Sequence, residues 1–172
     1  MAEAAKLVGR HKRLSFMETE AEKYTRMTGF TSLSESKESK EYSRQYVDEE
    51  SERTDVVGYA TGVDYEFDRH TATDVHDKIS TIADDEIVGT DAQVKIVTAD
   101  LFKSTDSTTA PARLRTYSVI PDSSGDGTDA LIYSGTFKAA GEITHGTATT
   151  ADNWKTCTFV ATAETPETPS GE

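Results

Sequence analysis

The clearest pattern in the chain is an alternation of apolar and polar positions over residues 54–69. The odd positions carry large or apolar side chains, whereas the even positions are small at first and then acidic. Successive side chains of a strand point to opposite faces, so this pattern predicts a long strand with one face toward a core. The residues predicted to face the core are Val57, Tyr59, Val63, Tyr65 and Phe67.

The opposite face of this strand carries a row of three carboxylates, Asp64, Glu66 and Asp68. Such a face has to lie in water or toward something that the protein does not bind. An acid catalyst needs one carboxyl group that is selectively desolvated, and nothing in the sequence provides this. We therefore interpret the row as a surface and not as an acid–base pair.

A helix is predicted after the strand, over about residues 73–85, because the apolar spacing changes from 2 to about 3.6 residues. Val75, Ile79 and Ile82 lie at positions i, i+4 and i+7 and share one helix face, which we expect to face the core. His76 stands beside acidic residues in the same segment and is interpreted as a solvated helix residue.

The remaining patterned segments predict strands joined by turns. About six strands with hairpin-type connections and one helix are typical of a mainly β protein. We predict two packed antiparallel sheets, a β-sandwich or half-open barrel, flanked by one short α-helix. Besides the strand described above, strands are predicted within residues 22–29, 93–102, 112–120, 131–145 and 154–163.

The chain divides into an arm, a β domain and a tail. Residues 1–21 are predicted to form an N-terminal arm, residues 22–163 the domain, and the Pro-, Thr- and Glu-rich residues 164–172 a disordered tail. Within the domain, residues 32–53 are predicted to form a long extended loop, because they carry many charges and few large apolar side chains. Tyrosines in this loop can anchor it against a partner.

The composition of the chain excludes several classes of function. The 172 residues carry a net charge of −13, and 35% are hydrophobic, which fits a modest core with long solvated segments. The acidic balance argues against tight binding to nucleic acid or to an anionic membrane. No run approaches the roughly 20 apolar residues of a membrane span, and no secretory signal is evident. We expect synthesis in a cytoplasm.

Motifs for catalysis or metal binding are missing from the sequence, so we expect no enzyme activity, cofactor or metal. It contains no HExxH, CxxC, GxSxG or Walker motif, and its four histidines are not at metal-ligand spacing. The single cysteine, Cys157, excludes an internal disulfide and is interpreted as buried. Residues 122–129 partly match a calcium loop, but Tyr133 stands where a bidentate glutamate is required.

One segment carries a family resemblance. The sequence EYSRQYVDEESERTDVVGYATGVDYEFDRHTATDVHDKISTIADDEIVGTDA resembles the major tail tube proteins of long-tailed bacteriophages, in particular those of phages of Gram-positive bacteria. The parts come in the same order: a YSRxYxDEESExTDVVGY junction, a long alternating strand, a short helix and a VGTDA turn. The resemblance covers about residues 41–101 and continues more weakly through Ile143. The first 20 residues and the Pro-rich tail show no such pattern.

The resemblance implies a structural protein of a virion tail. Six subunits would form a ring, and rings would stack into a hollow tube that conducts viral DNA without binding it specifically. The acidic row would line the lumen. The arm and the C-terminal segment would add contacts, and other partners would be the tape measure, tail tip and terminator proteins. The long loop would contact the adjacent ring through Tyr42, Arg44, Tyr46, Asp48, Glu49 and Arg53.

Other interpretations remain open at the level of sequence. The acidic row could be a solvated outer face. The chain could be a tube subunit of a contractile tail, a tailocin or a secretion system. It could also be a small β-sandwich module that binds a carbohydrate or a protein. Such a module would show clustered exposed aromatic residues, whereas Trp154 is the only tryptophan and the tyrosines are spread along the chain.

Overall fold

The computed structural model describes residues 4–125 and 128–163. This part of the chain contains one α-helix and nine strands, and all the strand pairings with a defined register are antiparallel. The elements are β1 (Arg13–Glu20), β2 (Lys23–Arg26), β3 (Phe30–Arg44), β4 (Arg53–Asp68), α1 (Asp74–Asp84), β5 (Gln93–Asp100), β6 (Thr109–Ser124), β7 (Ile132–Ala139), β8 (Thr144–Thr149) and β9 (Thr156–Ala161). The predicted mainly β class with one helix is confirmed.

The chain forms two compact units. The first comprises Met1–Met27, Lys95–Arg115 and Ile143–Glu172, and the second comprises Thr28–Val94 and Thr116–Glu142. Strand β6 contributes its first half to the first unit and its second half to the second unit.

In the first unit, six strands close into a ring. Their order is β6, β5, β1, β2, β9 and β8, and β8 pairs again with β6. Closure removes the free edges that an open sheet would expose. The ring surrounds a core that includes Phe16, Val97 and Cys157. Trp154 packs near Phe16, with ring centroids 6.1 Å apart, and its Nε1–H donates to the carbonyl of Ser107 at 3.1 Å.

The turn between β8 and β9 is organised by Asp152. Its carboxylate accepts hydrogen bonds from the amides of Thr156 and Lys155 and from the hydroxyls of Thr156 and Thr150. These bonds, chiefly those from Thr156, lower the pKa of Asp152 to about 2. Cys157 follows in β9, and burial raises the pKa of its thiol to about 12, as expected for a core cysteine and not a reactive one.

The predicted N-terminal arm is wrong for residues 13–20, which form β1. Leu14, Phe16 and Met17 are buried, and β1 pairs with both β2 and β5. The basic residues that interrupt the apolar pattern end at Arg13, where the strand begins. The cluster of basic residues therefore indicates where β1 begins, and it does not indicate that the whole of residues 1–21 is unstructured.

In the second unit, an antiparallel sheet carries the helix on one face. The strand order is β3, β4, β7 and the second half of β6. The ring of Phe67 lies 4.4 Å from His76 of the helix and 5.5 Å from Tyr133 of β7, measured between centroids. The hydroxyl of Tyr133 donates to the carboxylate of Asp84 at 2.9 Å and ties the end of the helix to the sheet.

A glycine in β7 makes room for the aromatic core. Gly135 lies directly opposite Tyr65, and a Cβ at this position would meet the Tyr65 hydroxyl at 2.6 Å and the carbonyl oxygen of Ile120 at 2.5 Å. The Tyr65 ring, which stacks on Phe137 at 4.4 Å, therefore covers the glycine and fixes the position of β4.

His76 is a core residue, so its interpretation as a solvated residue is wrong. It is 1% exposed; Nε2 donates to the carbonyl of Thr28 at 2.7 Å, and Nδ1 accepts from the amide of His70 at 3.1 Å. Burial lowers the pKa of His76. Helical spacing carried the signal, since His76 lies three residues before Ile79 and so shares its apolar face.

The predicted loop over residues 32–53 is also wrong in its larger part. Residues 32–44 belong to β3, and only residues 45–52 lie between strands. Val57 and Tyr59, predicted to face the core, are 65% and 60% exposed, because no layer formed by the described residues covers this part of β4. The other predicted core positions differ from these two: Tyr65, Phe67, Val75, Ile79 and Ile82 are buried, and Val63 is half-buried.

Several strand boundaries differ from the sequence pattern. Residues 131–145 form two elements, β7 and the start of β8, and β6 continues past Pro121 to Ser124. A register shift between Pro121 and Ser123 accommodates the proline, which cannot donate to a ladder. The predicted tail, residues 164–172, and part of the 122–129 turn lie outside the described residues.

We predict that His76 makes stability depend on pH. When the pH falls from 7.5 to 5.5, the unfolded histidine takes up a proton near its ordinary pKa of about 6.5, whereas the folded one resists protonation. The free energy of unfolding should therefore fall with pH, by at most about 1.4 kcal/mol per pH unit for one proton. Urea unfolding at several pH values measures this slope. His76→Gln should flatten it and His145→Gln, at an exposed site, should not; an unchanged slope in His76→Gln would contradict the assignment.

Candidate assembly surfaces

The most prominent surface feature is a two-stranded hairpin that extends beyond the sheet of the second unit. Strands β3 and β4 pair over their whole length, from Phe30 opposite Phe67 to Arg44 opposite Arg53. Strand β4 pairs with β7 only between Gly62 and Asp68. Residues 37–61, named here the projecting hairpin, therefore pair with no third strand of the described chain. About eight residues per strand give a length of roughly 26 Å.

Within residues 4–125 and 128–163, no layer covers residues 38–60 of the projecting hairpin. None of residues 38–60 is buried. Val47 at the tip is fully exposed, and the hairpin accounts for six of the exposed large apolar side chains: Tyr42, Tyr46, Val47, Val56, Val57 and Tyr59. An isolated two-stranded hairpin is marginally stable in water, so this element gains little from its own contacts.

Polar pairs hold the hairpin in register. Arg53 donates to the carboxylate of Glu49 at 2.5 Å, and the hydroxyls of Ser43 and Thr54 bond at 2.9 Å. The guanidinium of Arg44 lies 5.7 Å from the ring centroid of Tyr42. Exposed pairs of this kind are each worth a fraction of a kcal/mol, which orients the strands without burying them.

A bulge changes which side chains share a face. The register shifts between Lys40 and Glu41, so that the residue directly opposite Glu41 is Val56 and not Val57. On β3, Glu41 is the partner of Val56 and Ser39 is the partner of Tyr59. Because these two partners are two residues apart and share a face, Val56 lies on the same face of β4 as Tyr59. The sequence alternation from residue 54 onward did not show this shift.

The residues predicted to contact an adjacent ring all lie in the projecting hairpin. Tyr42 and Arg44 are at the end of β3, Tyr46, Asp48 and Glu49 are in the turn, and Arg53 begins β4. The structure brings them together as two pairs, Tyr42 with Arg44 and Glu49 with Arg53.

The acidic row lies on a second surface, the face of the second unit's sheet that is opposite to α1. Asp64 and Glu66 are exposed, and Asp68 is half-buried at the end of the row. The Asp64 carboxylate accepts from the Thr136 hydroxyl at 2.8 Å, and that of Glu66 accepts from the Thr31 hydroxyl at 3.0 Å. We name this surface the hydroxyl–carboxylate face.

Small hydroxyl side chains fill the rest of this face. Ser34 and Thr136 flank Asp64 on the neighbouring strands, and Ser32 and Ser134 flank Glu66. Lys138 stands opposite Gly62. The sequence reasoning overlooked these residues, although serine at every second position, as in Ser32, Ser34 and Ser36, indicates one face of a strand. The face is polar and weakly acidic.

A third surface is the outer edge of β3, the last strand of the second unit's sheet. In the described part of the chain, no further strand pairs with this edge of the 15-residue strand. The sequence SESKESKE places charges of both signs along this edge, which discourages uncontrolled pairing while permitting a specific partner strand.

Neither a metal centre nor a membrane span is evident in the described residues. Within residues 4–125 and 128–163, no group of three or more His, Cys, Asp or Glu side chains converges as a metal site. In the same part of the chain, the single α-helix is too short and too polar to cross a bilayer.

Comparison with known proteins gave likenesses to solved structures only. No protein-family model matches the sequence, and no curated protein matches it. Among solved structures, a chain of the anti-feeding prophage baseplate, determined by cryo-EM with six-fold symmetrisation, is similar with a TM-score of 0.47 and 10% sequence identity. The similarity covers 83% of this chain and 97% of that chain.

We predict that the projecting hairpin can be removed without unfolding the protein. Deleting residues 40–58 and joining Ser39 to Tyr59 through Asn-Gly keeps the paired ends in register, because these two residues lie opposite each other. Since no buried side chain is lost, the free energy of unfolding should change by less than about 1 kcal/mol.

Urea unfolding and far-ultraviolet circular dichroism measure this effect. Phe67→Ala is the matched core variant, because Phe67 is fully buried, and it should cost about 3–5 kcal/mol. A loss in the shortened protein as large as that of Phe67→Ala would contradict the view that the hairpin lies outside the fold.

Proposed function

We propose that this chain is a structural subunit of a bacteriophage tail, in which rings of six copies stack into a hollow tube that conducts DNA. The observation that carries the proposal is the projecting hairpin, which exposes apolar side chains that nothing in the described chain covers. A roughly 26 Å ribbon with uncovered apolar residues is costly for a monomer and useful for a subunit. The segment that resembles tail tube proteins, about residues 41–101, includes most of this hairpin.

The direction of assembly follows from the shape of the hairpin. A tip that inserts into a different surface of another copy makes a heterologous contact, and such contacts propagate without closing. Stacked rings require contacts of this kind. The exposed edge of β3 supplies a second type of contact, because another strand can pair along it within a ring.

The hydroxyl–carboxylate face suits the wall of a channel for DNA. Basic walls would hold DNA through release of counterions, whereas a face on which carboxylates outnumber the cation of Lys138 repels the phosphates overall. Asp64 and Glu66 supply the negative charge, and Ser32, Ser34 and Thr136 keep the surface polar and hydrated. In the proposed tube, this face lines the lumen.

Assembly is the first test of the proposal. At high concentration, the wild-type chain should form hollow tubes with a regular ring repeat and six-fold end views in negative-stain electron microscopy. The variant shortened by residues 40–58 should stay folded and form no stacks. A wild-type chain that stays monodisperse at every concentration, alone and with purified tail tips, would overturn the proposal. Binding to a glycan array by that monomer would favour a carbohydrate-binding module.

Charge reversal tests the lumen. Asp64→Lys with Glu66→Lys should leave tubes intact but reduce infectious titre and DNA ejection roughly tenfold or more, because phosphates would bind the wall. Asp85→Lys with Glu86→Lys is the matched control: it changes the charge equally at the end of α1, on the opposite side of the sheet. Equal titres for both variants would show that the hydroxyl–carboxylate face does not line the channel.

A further inference from the structure

The first unit carries a surface depression that the proposed function does not yet use. It has a volume of about 520 Å³ and is formed by the segment that precedes β1 together with one aromatic ring. Its apolar part comprises Leu7, Val8 and Phe102, which are all exposed. Its residues are Ala4, Lys6, Leu7, Val8, Gly9, His11, Lys12 and Phe102, and we name it the basic depression.

The rim of the basic depression is positively charged in an otherwise acidic protein. Residues 6–13 contain four Lys or Arg side chains and no acid, whereas the chain as a whole carries a charge of −13. The Arg13 guanidinium and the Lys103 ammonium lie 6.0 and 5.7 Å from the ring centroid of Phe102. Charge and exposed apolar surface therefore coincide at one place.

The structure holds this rim in position. Asp100 is buried, and its carboxylate accepts from Nε of Arg13 at 2.6 Å. The guanidinium of Arg10 donates to the carbonyl of Arg13 at 2.8 Å across a short 3₁₀ turn, Arg10–Lys12. Arg10 and Arg13 are thus attached to β1, a strand of the ring of six.

The tip of the projecting hairpin has the complementary chemistry. Residues 46–52 contain four acids and no Lys or Arg. Two large apolar side chains, Tyr46 and Val47, precede the acids and are exposed. Glu49 bonds to Arg53, whereas the side chains of Asp48 and Glu50 are exposed to solvent. The tip therefore combines exposed apolar side chains with negative charge. The basic depression combines exposed apolar side chains with positive charge, so the two surfaces are complementary.

We propose that the hairpin tip of one copy docks in the basic depression of a second copy. Tyr46 and Val47 enter the apolar hollow beside Phe102, and Asp48 and Glu50 face Lys6 and Lys12. The inference deepens the proposed function, because it names the two surfaces that join consecutive subunits along a stack. The two surfaces differ, so the contact is heterologous and repeats in one direction.

Charge complementarity selects a second copy of this chain as the occupant. Acidic tips repel one another, as do basic depressions, so copies do not associate tip to tip. The pairing of opposite patches also guides the encounter and suppresses wrong registers. Since the charges are exposed, the contact should weaken with salt, because the screening length falls from about 10 Å at 0.1 M to about 3 Å at 1 M ionic strength.

A charge swap tests the contact. The tip variant carries Asp48→Lys and Glu50→Lys, and the depression variant carries Lys6→Glu and Lys12→Glu. We expect the critical concentration for assembly of each variant alone to rise at least tenfold, because like charges then meet at the contact. Mixing the two variants should restore assembly, since each tip then finds a complementary depression. Sedimentation velocity and negative-stain microscopy measure both effects, with circular dichroism to verify folding.

The control keeps the charge change and moves it elsewhere. Asp85→Lys with Glu86→Lys alters the net charge as the tip variant does, and this protein should assemble like the wild type. If the wild-type chain forms tubes and both single-patch variants form them equally well, the docking contact is refuted while the proposed function stands. Loss of assembly without rescue in the mixture would also refute it.

Zero-length crosslinking separates this inference from the tube itself. A 1:1 mixture of ¹⁴N- and ¹⁵N-labelled wild-type chains, treated with a carbodiimide, should give mixed-isotope crosslinks between Asp48 or Glu50 and Lys6 or Lys12. These crosslinks would support the docking contact even if the chains form only short oligomers. In that case the proposed tube would be refuted and the docking contact would stand. Crosslinks at these sites within single-isotope species only, or none at all, would overturn the inference.

Discussion

Coverage by a second layer is the constraint on which the rest of this structure depends. A strand buries its apolar side chains only where another element lies over its face. From Gly62 to Asp68, β4 has a neighbour on each side and α1 above it, and Tyr65 and Phe67 are buried. From Arg53 to Ala60 the same strand has one neighbour and no cover among the described residues, and its large apolar side chains are exposed. The C-terminal end of β4 therefore contributes side chains to the core, whereas its N-terminal end is accessible to a partner.

The pleat of the sheet separates core from polar surface in the second unit. Tyr65 and Phe67 face the helix, whereas Asp64 and Glu66, one residue away from them, face the opposite side among serine and threonine hydroxyls. A register slip of one residue would bury the carboxylates and expose the rings, at a cost of several kcal/mol. The aromatic stack and Gly135 hold that register. Any role of the polar face is therefore fixed by the same contacts that stabilise the core.

Charge is distributed unevenly along a chain that is acidic overall. Negative side chains concentrate at the hairpin tip and along β4, and positive ones in the segment before β1. Net negative charge keeps free copies apart at low salt, while local patches of opposite sign provide one favoured orientation of approach. In the proposed assembly, the charge pattern supplies specificity and the exposed apolar residues supply much of the stability.

The sequence by itself determined the β class, a helix at about residues 73–85 and the alternation along β4, because periods of 2 and 3.6 residues are local properties of the backbone. It also revealed the acidic row and a segment rich in charge. It did not reveal that this segment is a strand, that Val57 and Tyr59 are uncovered, or that His76 and β1 belong to the core. These outcomes depend on which layer lies over which residue, and burial is set by contacts between distant parts of the chain. Only the tertiary structure could decide them, since a polar strand and a polar loop have the same composition until a partner strand pairs with one of them.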